Sequence, residues 1–376
     1  MHRDFFLQAF SFKSGTITTN LEYMFGRSEK IGFSLEGASL ALIGLRCSGN
    51  KRKVKFYDQA NLVKEFNLKS LDELDDEMRI ALLKRIVKKH KLEQAPISVT
   101  LPNTNTILKI MEIPAEQAES NLVEYIKEEI SQDTFDDVDE MQIACFGLSN
   151  KTQSHLCYLV SAISDDELEG YQGFFERAGL RPVSFELGML ALHNAFESFY
   201  HSNNDAPAAV VDIGSSEIRV IIQGKDRNPF FHGTDFGDLE INAKFSELTG
   251  QSFVEAECVK LDFLDETKPN RQTMENLSFL EAYCTFASEL TTEIRKCIRH
   301  YQVAEHILEF GNIYLTGRCA QGRVLKSLIS HELKLNVESW NPTMHLVDGF
   351  TDRSKERCQY DGFNFSTAIG AVMDDS

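Results

Sequence analysis

Val210-Val211-Asp212-Ile213-Gly214-Ser215-Ser216 is an apolar strand that ends in a carboxylate and runs into a glycine-containing turn. A tight hairpin of this kind leaves successive backbone N–H groups pointing outward as an anion cradle, and Gly214 permits close approach. Ser215 and Ser216 add hydroxyl donors, and Asp212 at the strand end can hold a magnesium ion through its water shell. Taken alone, such a turn is more often an ordinary hairpin with a capping aspartate. Its weight comes from its position after the polar, linker-like run His201-Ser202-Asn203-Asn204-Asp205, and from the segments around it.

Upstream, Lys30–Leu35 and Ser39–Leu45 read as a strand pair joined at Glu36-Gly37, and Arg52–Tyr57 alternates like a half-buried edge. An amphipathic helix is expected over Leu71–Lys89, capped by Ser70, with acids early and lysines late. Its basic end, Lys84-Arg85 and Lys88-Lys89-His90-Lys91, reads as a solvated helix terminus. From Pro96 to Pro182 the pattern is strand, strand, helix, strand, strand, helix, which suits a compact α/β insertion; its helices are Ala115–Ile130 and Asp165–Ala178. Downstream of Asp212 follow two more strands, helices at Leu239–Thr249, Phe253–Phe263 and Glu275–Tyr301, a strand Asn312–Thr316, a helix Gln321–Ser330 and a closing helix Thr367–Val372. Strand–turn–strand units thus open two halves of the chain, at Ile31 and at Val210, as in a distant internal repeat.

The 376 residues suit two or three lobes, and 42% hydrophobic with 26% charged residues is a globular composition. A formal net charge of −18 argues against phosphate-backbone binding, so no nucleic acid is expected. Eight cysteines are scattered without a CxxC pair, and the histidines show no HxxxH or HxH grouping; both point to reduced thiols and away from zinc. The opening Phe5-Phe6-Leu7 and Ala9-Phe10 cluster is too short to span a bilayer and reads as a packed or frayed terminus.

The order of Ile31–Leu45, Asp212–Ser216 and Ile313-Tyr314-Leu315-Thr316-Gly317 resembles the two phosphate loops and the adenosine loop of the actin-like superfamily. Within it, the chain most resembles the type IV pilus assembly PilM family, relatives of the division protein FtsA. The resemblance runs from about Lys30 to Val372. It rests on Leu101-Pro102-Asn103-Thr104 through Ile113-Pro114, Arg177–Val183, Ser252–Lys260, Leu290–Lys296 and Ala368-Ile369-Gly370-Ala371. It implies an α/β, actin-like two-lobed fold of ribonuclease H-like repeats with an inserted small α/β subdomain. The expected parts are an N-terminal extension (1–29), a first lobe (30–95, completed by 183–205 and 364–376), the insertion (96–182) and a second lobe (206–363).

Carried onto this sequence, the resemblance puts Asp212, Gly214, Ser215 and Ser216 on the phosphates, with Asp212 also on magnesium. It puts Ser34 in the first phosphate loop, Gly237 before the next helix, Glu257 and Lys260 near ribose and adenine, and Gly317 under the base. Read without it, Glu257 and Lys260 are a solvated i,i+3 pair. ATP and Mg²⁺ are the implied ligands, but the pattern departs from the family. Its first loop reads like DIGSSS, whereas here it is Ser34-Leu35-Glu36-Gly37-Ala38-Ser39, so the metal-facing carboxylate is gone. Gly237-Asp238 adds a carboxylate, and Arg318 stands where the adenosine loop is glycine-rich, either to stack on a base or to fill its place.

These departures favour a scaffold over a catalyst, and no catalytic residue is assigned. The implied role is a cytoplasmic adaptor, peripheral at the inner membrane, that grips the cytosolic N-terminal peptide of a PilN-like single-span protein; a homo-oligomer is compatible with it. Leu101–Ile113 and the helix Ala115–Ile130 are expected to line that groove, and the acidic run Asp133–Glu140 reads as a solvated loop that can also attract a basic tail. The competing classes are an active ATPase or sugar kinase, which needs a carboxylate at Ser34 and a general base, and an FtsA-like cytoskeletal protein, which usually carries a C-terminal amphipathic helix.

Overall fold

The structure is a computed structural model that describes residues 28–48, 51–68, 73–104, 106–134, 137–148, 154–200, 206–225, 227–264, 274–346 and 358–373. The Phe5–Phe10 cluster, the Ser70 cap and the His201–Asp205 linker lie outside these residues.

The internal repeat is explicit in the sheets. In the first half, β1 (Ser28–Glu36), β2 (Ser39–Ser48) and β3 (Lys51–Asn61) form an antiparallel meander, and β4 (Pro96–Leu101) and β8 (Arg181–Leu187) extend it in parallel, giving the order β3-β2-β1-β4-β8. The second half repeats that order with β9 (Ala208–Ile213), β10 (Ile218–Gln223), β11 (Phe230–Gly233), β12 (Ile313–Gly317) and β13 (Val337–Ser339), arranged β11-β10-β9-β12-β13. Central β9 is buried at every residue, as an apolar run between covered faces must be.

The insertion is smaller than the sequence pattern suggests. The first strand of the pattern expected from Pro96 onward is β4, which pairs with β1 and β8 in the first lobe's sheet. Its alternating burial ends in three buried residues because it is a central strand of that lobe. The insertion's own sheet has three strands, β5 (Ile107–Pro114), β6 (Met141–Gly147) and β7 (His155–Ser164), in the order β5-β7-β6. The expected helix Ala115–Ile130 is broken at Asn121 into α3 (Ala115–Ser120) and α4 (Leu122–Ile130), and α4 packs Ile126 and Ile130 on Met111, Ile113 and Val160.

In the first lobe, a short α1 (Leu62–Phe66) follows β3, and α2 (Asp76–His90) starts five residues later than expected. Asp75, not Ser70, caps it by accepting from the Met78 N–H at 2.8 Å. Its basic end is tied down, with Lys89 and His90 each 2.7 Å from Asp58. Helix α5 (Asp165–Arg177) packs against α2 and joins the insertion to the first lobe.

The lobes meet over α6 (Gly188–Phe199) and the closing α11 (Ser366–Gly370), whose Leu192, Phe196 and Ile369, with Phe365 just before α11, share one core with Ile43 of β2 and Val210 and Ile221 of the second sheet. Behind the second sheet lie α7 (Leu239–Thr249), α8 (Phe253–Leu264), the 31-residue α9 (Met274–Ala304) and α10 (Arg323–Leu333). Among the described residues, no helix is long and apolar enough to cross a membrane.

Candidate functional site

The β9–β10 turn lies where the resemblance expects phosphate, at the contact between the lobes. The carboxylate of Asp212 is buried, and its Oδ2 accepts from Nη1 of Arg219 at 3.0 Å. Arg219 is 0% exposed and sits on β10. The same Nη1 donates to Glu36 Oε2 of the first lobe at 2.8 Å, and Nη2 donates to Glu217 Oε1. One guanidinium is thus enclosed by three carboxylates. The packing requires Gly188 at the start of α6, because a Cβ there would lie 2.9 Å from Nη2.

Three carboxylates around one cation leave two negative charges if all are ionised, and burial resists that. Burial pushes Asp212 up to about 7 against the pull of Arg219, with Glu36 adding to the rise. Burial likewise raises Glu217. For Arg219 burial opposes the charge, but Glu36, Glu217 and Asp212 outweigh it and hold the guanidinium protonated.

The hydroxyls and amides of the two turns face each other. Ser215 Oγ is fully buried; it donates to the Glu36 carbonyl at 2.8 Å and accepts from the Ala38 N–H at 3.1 Å. The Gly214 N–H donates to the Glu217 carbonyl at 3.0 Å. At the start of α7 the Asp238 and Leu239 N–H groups donate to the Gly214 and Ser215 carbonyls at 2.9 and 3.1 Å. Ser34 is buried; its Oγ donates to Glu36 Oε1 at 2.8 Å and accepts from Thr367 Oγ1 at 3.1 Å. Ser216 is half-buried on the cavity described below.

The glycines make room for protein. Gly37 has φ +52°, and a Cβ on it would lie 2.4 Å from Ser216 Oγ and 2.7 Å from Ser215 Oγ. A Cβ on Gly237 would meet the Ser215 carbonyl at 2.5 Å, and one on Gly317 (φ +87°) the Ile213 carbonyl at 2.3 Å.

Glu257 and Lys260 form a second cluster. Both are fully buried, contrary to a solvated i,i+3 pair. Lys260 Nζ lies 2.8 Å from Glu257 Oε2 and 3.0 Å from Asp238 Oδ1. Arg318, expected in the adenosine loop, pairs with Glu257 and reaches Asp238 Oδ2 at 3.5 Å through Nε. Asn242 donates to Glu257 Oε2 at 2.7 Å, and Asn61 of the first lobe donates to Oε1. Two carboxylates meet two cations, so this cluster is neutral. Burial alone would raise Glu257, but Lys260 and Arg318 overcome it and hold its carboxyl far below the usual range.

Mg-ATP does not fit these residues as they stand. The carboxylate assigned to magnesium is paired with Arg219, the Ala38, Gly214, Asp238 and Leu239 amides are bonded within the protein, and phosphate would meet Glu36 and Glu217. Among the described residues, no group of three or more His, Cys, Asp or Glu is arranged to hold a metal ion.

At the edge of these turns, a cavity of about 660 Å³ opens between the first lobe and α5 of the insertion, and Gly37 and Ser216 border it. Leu35, Tyr171 and Phe174 give it apolar walls, and Glu36, Asp166, Glu167 and Glu217 make it acidic, while Asp76 pairs with Arg79 at 3.1 Å. Burial pushes the Tyr171 hydroxyl up to about 12, and Glu167 adds to the rise. Pro102 and Thr104 border this cavity, and Asn103, Thr106 and Leu108 border a neighbouring one of about 590 Å³. Helix residues Ala115–Ile130 border neither cavity, since α3 and α4 cover the insertion's own sheet, whereas α5 borders the first. In the acidic run, Asp133 pairs with Lys109 at 2.8 Å and Asp139 with Lys127 at 2.6 Å.

Sequence reasoning noted Glu36, Asp238 and Arg318 as departures but missed Arg219, Glu217, Asn61 and Asn242. The available signal was a lone arginine within Ile218-Arg219-Val220-Ile221-Ile222, a strand otherwise apolar.

Among solved structures, the chain is similar to the PilM–PilN type IV pilus biogenesis complex, with 19% identity, 93% of this chain and 99% of that chain covered, and a TM-score of 0.75. Looser likenesses are the ethanolamine utilization protein EutJ from Carboxydothermus hydrogenoformans (15% identity, 92% and 90% covered, TM-score 0.48) and MreB5 of Spiroplasma citri bound to ADP (10% identity, 88% and 98% covered, TM-score 0.46). No curated protein sequence matches the chain. Residues 38–375 match the family described as Type IV pilus assembly protein PilM, and the chain belongs to that family.

Proposed function

We propose that this chain is a cytoplasmic adaptor of a type IV pilus or related secretion machine, held at the inner membrane by gripping the cytosolic N-terminal peptide of a PilN-like single-span protein. The observation that carries this reading is the acidic cavity between the first lobe and α5, in a family member whose fold matches a PilM solved with PilN. An extended peptide suits it: Leu35, Tyr171 and Phe174 offer apolar pockets for alternate side chains, and Asp166 and Glu167 at the start of α5 favour a basic residue. The role requires no catalysis.

The test is fluorescence anisotropy with a labelled peptide copying the first ~20 residues of the PilN-like protein from the same organism, a length that about matches a standard interface. Tyr171→Ala and Asp166→Lys are each expected to weaken binding at least about tenfold, as loss of a buried anchor or of charge complementarity does. Absence of binding by the wild type, or unchanged affinity in both variants, would sink the reading.

A further inference from the structure

We infer that this chain's nucleotide cleft is closed by its own side chains: Arg219 takes the cation's place beside Asp212, and the Lys260–Glu257–Asp238–Arg318 cluster fills the adenosine side. The lobes are thereby joined without nucleotide.

Three observations of different kinds converge on this. The first is charge. A nucleotide phosphate is drawn by unpaired donors and a metal, but here it would approach Glu36, Asp212 and Glu217, whose only shared cation among the described residues is Arg219. The second is hydrogen-bonding capacity. The Ala38, Gly214, Asp238 and Leu239 amides, at two turns and a helix start, all donate to protein oxygens. The third is space. The room that Gly37, Gly237 and Gly317 create is taken by Ser215, Ser216 and Ile213 atoms, all within 3 Å of where a Cβ would stand.

The same contacts cross between the lobes. Arg219 on β10 holds Glu36 at the end of β1, Ser215 is bonded to the Glu36 and Ala38 backbone, and Asn61 holds Glu257. In a protein that closes around nucleotide, these bonds would have to break before phosphate entered. Here they are complete without it, and both charged clusters are buried. The inference goes beyond the adaptor reading and is independent of it, since peptide capture at α5 can stand or fall without altering the cleft.

The experiment uses the full chain. Calorimetric titration with Mg-ATP and with Mg-ADP is expected to give no binding heat, and millimolar nucleotide to leave the melting temperature within about 1 °C of its starting value. Hydrogen exchange of the nucleotide-free protein is expected to show slow exchange at Ala38, Asp238 and Leu239. Asp212→Asn, which removes one surplus negative charge while keeping a side chain that can accept from Arg219, is expected to fold and melt no lower than wild type. A dissociation constant tighter than about 100 µM for either nucleotide would overturn the inference. So would a nucleotide-induced rise in melting temperature that Asp212→Asn abolishes, or fast exchange at those amides that nucleotide then slows.

Discussion

A guanidinium with no solvent exposure among three carboxylates tolerates no loss of its own charge. Arg219→Met would keep much of the volume and strand Glu36, Asp212 and Glu217 as uncompensated buried acids, so it is expected to cost about 3–5 kcal/mol in urea denaturation. The cluster also sets a pH dependence. Asp212 has an ordinary carboxyl value of 3.8 when unfolded and is pushed up to about 7 when folded, chiefly by burial. Between those values the folded chain holds more protons than the unfolded chain, so the Asp212 contribution is full below about pH 4 and is lost as pH rises through 7. Wild-type stability should therefore fall from pH 5 to pH 8, and Asp212→Asn should flatten that slope; an equally steep slope in the variant would reject the assignment. Glu257 acts with the opposite sign: its depressed carboxyl stabilises above its ordinary 4.5, and that contribution is lost on acidification. The turn was legible in the sequence because strand, carboxylate and glycine are local. Its occupant was not, because Arg219, Glu36 and Glu217 converge only once two sheets face each other.

Helix α5 shows how one element carries two duties. Its Phe175 is 1% exposed and meets Phe33 of β1 edge-on at 5.2 Å, which docks the insertion on the first lobe, while Tyr171 and Phe174 line the cavity. Phe175→Ala is expected to cost about 3–5 kcal/mol and to weaken peptide capture together with stability, whereas Tyr171→Ala should affect capture with little change in melting. Chemical denaturation and anisotropy on the two variants separate these effects. The close crossing of β1 and α11 makes a sharper demand: a Cβ on Gly32 would stand 1.8 Å from the Ala368 carbonyl oxygen. Gly32→Ala should lower stability by at least about 1–3 kcal/mol, since backbone cannot yield as a flexible side chain would. Most element types were legible because strand alternation and helical periodicity are local properties, whereas the short α1 and β13 offer too few residues for either signal. The membership of β4 was not. Pro96–Leu101 is a strand under either arrangement, and only its pairing with β1 and β8 moves it from the insertion to the lobe.

At the scale of the whole molecule, the two lobes, the sealed cleft and the acidic cavity form one arrangement. Glu36 and Glu217 belong both to the Arg219 cluster and to the cavity wall, so the contacts that close the cleft also position part of the acidic lining. A formal net charge of −18 adds a long-range field to that local one, and together they attract a basic peptide before contact. Such steering acts on encounter and is screened by salt, whose Debye length shrinks from about 10 Å at 0.1 M to about 3 Å at 1 M. The apolar pockets at Leu35, Tyr171 and Phe174 act after contact and are far less sensitive to salt. For the proposed peptide, stopped-flow measurements between 0.05 and 0.5 M salt should therefore show the association rate falling about tenfold while dissociation changes little. Asp166→Lys should lose most of that salt dependence, and Tyr171→Ala should keep it while dissociating faster. A salt effect confined to dissociation would mean that the carboxylates act only in the bound complex, and would remove steering from the account of how this chain finds its partner.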